Sequence, residues 1–362
     1  MIRFESVTKR FDDGPPAVDE LDLEIRDGEL TVLVGPSGCG KTTSLRMINR
    51  LEDLSSGRIL VNDEDVMSQD RIQLRRRIGY VMQTSGLFPH RRIRANIATV
   101  PRLLGWSRER SDQRVEELAE LVGLAPDLLD RYPHALSGGQ QQRVGVARAL
   151  AADPPLMLMD EPFAAVDPIV RTHLQDELVR LQRRLGKTIV FVTHDIDEAI
   201  KLGDRIAVFQ DGGRVAQYAS PTELLAAPAS DFVVGFLGRD RELRRLALVD
   251  VADVGIESAP VVVPGDSVDT ARESARRHGR DWVIVVDDAQ RLNGWVALDA
   301  LTGGTVADAA TTGFRYSVSA GDSLRAAVNA MVASTIGVAP RIDSEGRLEG
   351  VLTQASLNRV LA

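Results

Sequence analysis

The chain has 362 residues, 44% hydrophobic and 27% charged, the balance of a folded globular protein of two or three domains rather than a disordered or collagen-like one. Its formal net charge of −8 argues against broad nucleic-acid binding, and its one cysteine, Cys39, excludes an internal disulfide or a cysteine-rich metal site and fits a reducing cytoplasm. No apolar run reaches the ~18 residues of a membrane span, and residues 1–5 hold no signal-peptide core, so any membrane role is expected to come through another chain.

In chain order, Leu30–Val34 is an apolar, β-branched run that reads as a buried strand. It leads straight into a glycine-rich turn, residues 35–40, and then into a helix-like stretch from Lys41. Residues from about 86 to 150 look mainly helical, which predicts a helical subdomain inserted in an α/β core. Residues 156–159 and 189–192 are further short apolar runs. Between them Val170, Leu174, Leu178, Leu181 and Leu185 fall on one helical face. Strand, helix, strand in this order predicts a mostly parallel sheet covered by helices, with chemistry at the strand ends. The charge run at 239–245 reads as a solvated helix or linker face. Beyond it lies an internal repeat. Gly265-Asp266-Ser267 recurs as Gly321-Asp322-Ser323, Asp287 as Asp343, Arg291-Leu292 as Arg347-Leu348 and Gly294 as Gly350, all at one offset. Val251-Ala252-Asp253 recurs as Val306-Ala307-Asp308, one residue out of step. Each unit predicts a short helix after the Gly-Asp-Ser turn and then a β-rich stretch such as Trp282–Val286.

Gly35, Pro36, Ser37, Gly38, Cys39, Gly40, Lys41 and Thr42, followed by Thr43, fit the phosphate-loop pattern, placed between a strand and a helix as its mechanism requires. The glycines let backbone N–H groups curl around phosphates, and the helix N-terminus adds favourable partial charge. Lys41 is expected to reach the β- and γ-phosphates and the Thr42 hydroxyl to ligate Mg²⁺. Asp160 and Glu161 close the strand from Leu156; the first carboxylate suits the Mg²⁺ shell and the second can polarise an attacking water. Ser137, Gly138, Gly139 and Gln140 open a helix whose free N–H groups and serine hydroxyl form a second anion site. A second phosphate-grasping helix beside one phosphate loop suggests closure over ATP.

With these motifs, roughly residues 1–240 resemble the ATP-binding cassette (ABC) family. The resemblance implies an α/β fold, with a P-loop NTPase-like nucleotide-binding domain over 1–238 that carries the helical subdomain. A linker over 239–250 and an α/β module of two CBS (cystathionine β-synthase) repeats, 251–304 and 305–362, would follow. It also implies that residues 137–140 contact the ATP of a partner copy, so two chains make two composite sites. Phe11 takes the position of the aromatic that stacks on adenine. Gln83 takes that of the glutamine that senses Mg²⁺ and water and links to the membrane subunit. Asp167, in the 164–167 segment, matches the loop joining the two copies; a helix N-cap before Pro168 is a second role, and both can coexist. His194 matches the switch histidine on the γ-phosphate. The implied catalytic set is Glu161, His194 and Lys41, and the implied Mg²⁺ set is Thr42, Gln83 and Asp160. His90, His134, His173 and His278 show no metal-ligand spacing.

Residues 86–97 resemble importer ATPases, in which this region receives a short permease helix. Residues 160–163, 167–171 and 238–241 resemble the subfamily serving quaternary-amine osmoprotectants such as glycine betaine, choline and carnitine, which commonly ends in paired CBS motifs. That resemblance implies a homodimer driving uptake through separate permease subunits at the cytoplasmic face of the inner membrane. A binding protein outside the cytoplasm would take part indirectly, and no nucleic acid is implied. An importer ATPase for another solute, such as an amino acid, and a non-transport ABC ATPase stay open. CBS pairs often bind adenosine ligands through a Thr/Ser and an Asp three residues apart. Here Gly350 is followed by Thr353 and Ser356, and Gly294 by Ala297 and Ala300, so the ribose-binding carboxylate is missing from both. A nucleotide or ionic ligand and a purely structural dimerisation role therefore stay open.

Overall fold

The structure, a computed structural model, describes residues 1–83, 86–164 and 166–361. Ala165, within the segment expected to join two copies, lies outside the described residues, as do Thr84, Ser85, Ala362 and the side chains of Val360 and Leu361. The chain divides into two compact units, Met1–Gly238 and Arg239–Ala362.

The first unit opens with β1 (Ile2–Lys9), β2 (Val18–Ile25), β3 (Leu30–Val34), α1 (Lys41–Ile48), β4 (Ser56–Val61), β5 (Glu64–Asp65), α2 (Arg71–Arg76) and β6 (Ile78–Val81). Helices α3 (Ile93–Ile97), α4 (Thr99–Leu103), α5 (Arg108–Leu121) and α6 (Gly138–Leu150) follow with no strand between them among the described residues. The rest is β7 (Leu156–Asp160), α7 (Pro168–Leu185), β8 (Thr188–Thr193), α8 (Ile196–Leu202), β9 (Arg205–Gln210), β10 (Arg214–Ala219), α9 (Pro221–Ala226) and α10 (Asp231–Leu237).

One sheet has the order β10-β9-β3-β8-β7-β6, parallel except for β10. Strands β3, β7 and β8 are buried along their whole length, which is why they read as unbroken apolar runs rather than alternating ones. This order brings the carboxyl ends of β6, β7, β8 and β3 side by side. The second sheet, antiparallel β2-β1-β4-β5, has no counterpart in the sequence reading. It announces itself only weakly: in β2, buried Leu21, Leu23 and Ile25 alternate with Asp22 and Glu24. Ile2, Phe4 and Leu21 of this sheet share one core with Leu33, Leu158 and Val190 of the other.

Helix α7 carries the predicted apolar stripe only in its middle. Leu174 and Leu178 are buried, whereas Val170 is exposed, and Gln175 and Gln182 complete the buried face. The glutamines are tolerated because each is hydrogen-bonded, Gln182 to the Gly28 carbonyl and Gln175 to Glu198.

The second unit comprises α11 (Arg241–Leu246), β11 (Val261–Val262), α12 (Val268–Arg277), β12 (Trp282–Val286), β13 (Leu292–Ala297), α13 (Leu324–Ala333), β14 (Ala339–Ile342), β15 (Leu348–Leu352) and α14 (Gln354–Leu361). Residues 239–250 are not free connecting chain: α11 buries Leu246 in one core with Leu324 and Ala327. The repeat proves to be one set of turns and caps used twice. Ser267 and Ser323 cap α12 and α13. Asp266 and Asp322 accept the backbone N–H groups of Val263 and Ser319, and Asp287 and Asp343 those of Arg291 and Arg347. Among the described residues, no helix is long and apolar enough to cross a membrane.

Candidate nucleotide site

The loop from β3 to α1 is shaped by its glycines. Gly40 caps α1 with φ of +101°, and a side chain there would strike the Ala17 carbonyl oxygen; one at Gly35 would strike that of Phe209. Lys41 is buried and folded back, its Nζ donating to the carbonyls of Gly35 at 2.8 Å and Pro36 at 2.7 Å. Those two bonds hold the amine inside the loop where phosphates would lie. Pro36, Ser37 and Gly38 complete the turn, and Thr43 lies in the first turn of α1. Cys39 is fully buried, and burial pushes its thiol up despite Lys41 beside it, so it is not poised as a nucleophile.

At the end of β7, Asp160 Oδ1 accepts the Thr42 hydroxyl at 2.8 Å, while Oδ2 lies 3.5 Å from Arg46 Nη2. Thr42 and Arg46 are four apart on α1, so one helix face meets both carboxylate oxygens. Tyr80 stands at the same carboxylate; burial pushes its hydroxyl up, and the Asp160 charge adds to the effect. Sequence reading missed Arg46 and Tyr80, although the spacing of Arg46 from Thr42 was a usable signal.

Three other expected residues meet next door. Glu161 Oε2 lies 3.4 Å from Gln83 Nε2 and 3.2 Å from His194 Nδ1, so residues following β6, β7 and β8 converge on one oxygen. Glu161 also holds a left-handed backbone, φ of +44°, while its N–H donates to the Val192 carbonyl at 3.0 Å. That conformation costs a non-glycine residue on the order of 1 kcal/mol, a strain met most often where function fixes a side chain.

Phe11, on the loop after β1, is exposed, and Lys9 Nζ sits 4.6 Å from its ring centre. Ser137 is the N-cap of α6. Its hydroxyl accepts the Gln140 N–H at 3.3 Å, and the Gln140 side chain accepts the Ser137 N–H at 2.9 Å, a complete capping box over Gly138 and Gly139. Among the described residues, no hydrogen bond or ion pair joins 137–140 to Lys41, Thr42, Asp160 or Glu161 of the same chain. Asp167 caps α7 through the Ile169 N–H, followed by Pro168.

The donor set beside the loop is hard oxygen: the Thr42 hydroxyl, a buried carboxylate at Asp160 and the Gln83 amide. Such a set suits Mg²⁺, which keeps most of its shell from water and phosphate. Among the described residues, no three His, Cys, Asp or Glu side chains gather to hold a metal unaided.

In the second unit Thr353 and Ser356 meet a carboxylate from elsewhere in the chain. Glu257 Oε1 accepts the Thr353 hydroxyl at 2.9 Å, Ser356 at 3.4 Å and Arg359 at 3.0 Å, and Arg280 reaches Oε2 at 3.2 Å. Thr353 and Ser356 are thus already engaged, by a residue 96 positions away from the first.

A phosphate loop at the end of a parallel strand, a carboxylate pair at the end of one other strand of the same sheet, β7, and a glycine-opened helix capped by Ser137 are the arrangement expected of an ATP-binding cassette. Comparison with known proteins agrees. The ABC transporter family model matches residues 18–164, and the CBS domain model matches residues 306–362. The glycine betaine/carnitine/choline transport ATP-binding protein OpuCA of Bacillus subtilis is 46% identical over 99% of this chain and 95% of its own length. The osmoprotectant import ATP-binding protein OsmV of Salmonella typhimurium is 47% identical over 98% and 94%. A dimeric ATP-binding cassette in a post-hydrolysis state with ADP and Pi superposes with a TM-score of 0.56, at 33% identity, covering 61% of this chain and 99% of that one. The chain belongs to the ABC transporter family, among the ATP-binding subunits of its import systems. It is an ATPase whose hydrolysis is coupled to transport.

Proposed function

We propose that two copies of this chain clamp two ATP molecules and drive import of quaternary-ammonium osmoprotectants, the class of glycine betaine, carnitine and choline, through separate permease subunits. The single observation that carries the hydrolytic part is the convergence of Gln83 and His194 on one oxygen of Glu161, beside the Thr42–Asp160 pair. Lys41 leaves its two carbonyls for the β- and γ-phosphates as nucleotide enters, with the loop amides of 35–40 around them and Phe11 against the adenine. Thr42, Asp160 and, through its amide oxygen, Gln83 would hold Mg²⁺, which when bound neutralises phosphate charge. Glu161 orients the attacking water and His194 steadies the γ-phosphate. Ser137 to Gln140 offer the opening of α6 to the nucleotide of the other copy, and Asp167 lies at the seam. Hydrolysis removes the charge that holds the copies together, and the permease follows their opening.

The substrate class rests on near full-length similarity to OpuCA and OsmV, because an ATPase subunit never touches the solute. Location at the cytoplasmic face of the membrane follows from the same likeness, as does indirect service of an external binding protein. The second unit, read as two CBS repeats, biases the open–closed equilibrium. Vesicles holding the whole complex test this: they should accumulate glycine betaine, choline or carnitine with ATP, and more as salt rises. Uptake of proline or another amino acid in preference would overturn the substrate class and leave the ATPase reading intact.

A further inference from the structure

Behind the strand-end carboxylate lies a buried acid that the proposed chemistry does not use. Glu198, on α8, is 8% exposed, and its Oε1 accepts the Gln175 side-chain N–H at 3.0 Å. Burial pushes its carboxyl up, and the hydrogen bond from the Gln175 amide opposes that rise. Its backbone N–H donates at 3.3 Å to Oδ1 of Asp195, the residue immediately after His194, and its side chain reaches the helix that begins after Asp167. One turn earlier on that helix, Arg171 Nη2 donates to the Val166 carbonyl at 3.0 Å, bracing the residue just before Asp167. Arg171 Nε is buried with no hydrogen-bond partner among the described residues. Arg171 and Glu198 line one small cleft, of about 40 Å³, with Glu161 and His194. A carboxyl kept out of water is costly, and an apolar side chain would fill this place more cheaply. Its hydrogen bonds tie the turn that carries His194 to the helix that begins after Asp167.

We propose that Glu198 is a positioning residue that fastens the His194–Asp195 turn to the helix starting at Pro168, so that the histidine and the Asp167 segment move as one body. It touches neither nucleotide nor the reacting atoms and acts through His194. The inference rests on the role proposed above for that histidine.

The test is a double-mutant cycle on the full-length chain, reading phosphate release, binding of a fluorescent ATP analogue and thermal melting. Glu198→Ala should lower kcat about 10-fold with nucleotide affinity within about twofold, and in a His194→Ala background the same change should cost less than about twofold. Equal losses in both backgrounds, or no loss in the parent, overturn the proposal. Gln175→Leu, which removes the helix's donor without opening a cavity, is carried through the same cycle, so the test stands even where Glu198→Ala fails to fold. Additive losses there overturn it too. Normal turnover by His194→Ala alone refutes the histidine's role first, and this inference with it.

Discussion

In the proposed mechanism Glu161 is the side chain on which most of the chemistry depends, and its neighbours say how. Gln83 and His194 share its Oε2, so the carboxylate is aimed before nucleotide arrives. Replacing Glu161 by Gln keeps the shape and removes the proposed base. Phosphate release should fall at least ~100-fold, or about 2.7 kcal/mol in the barrier, while ATP binding persists and the chain accumulates as a dimer with ATP. Near-normal turnover would refute the assignment. Asp160→Asn should instead act through the cation, since it weakens a carboxylate that already spans Thr42 and Arg46. A titration of nucleotide binding against Mg²⁺ should show the half-saturating concentration raised several-fold, with binding of Mg²⁺-free ATP little changed. At this scale the sequence was most readable where residues lie close along the chain: the loop from Gly35 to Thr43, the carboxylate pair, the capped glycines at 138 and 139. It was silent about Tyr80 and Glu257, whose partners come from other strands and from a distant turn.

Among elements, the fully buried strands were legible because burial on both faces leaves an unbroken apolar run. The antiparallel sheet was not. β5 is two residues long and β4 begins with exposed Ser56, Gly57 and Arg58, so neither carries a pattern until pairing with β1 is known. The short helix α11 was half legible: the charge run reads as a solvated helix or linker face, but the one buried leucine that follows it gives no sign of its packing. The loop between β3 and α1 offers a sharp test of backbone geometry. Gly35→Ala puts a carbon against the Phe209 carbonyl oxygen, and calorimetry should find ATP affinity reduced by more than tenfold, or about 1.4 kcal/mol. In the second unit, the Arg347 side chain and backbone N–H hold the Asp343 carboxyl below the usual aspartate range. A depressed carboxylate stabilises the fold above its ordinary pKa of about 3.9, and that contribution is lost as pH falls through the folded value. Melting temperatures followed downward from neutral pH should fall less steeply in Asp343→Asn than in the parent chain.

On the scale of the whole molecule, the two compact units predict a separable design. A chain ending at Gly238 should fold and hydrolyse ATP within about twofold of the full-length protein, since its core residues all lie before that point. In transport vesicles it should lose the response to salt, and a truncated chain that keeps that response would move the sensor out of the second unit. The central claim concerns copies rather than parts: Lys41 of one chain and Ser137 of another complete each ATP site. Specific ATPase activity of the full-length chain, measured across a wide range of chain concentration, tests this most directly. The account predicts that activity per chain rises with concentration and plateaus once dimers form, and that Ser137→Arg abolishes the plateau. Activity per chain that is constant on dilution and indifferent to Ser137→Arg would contradict it.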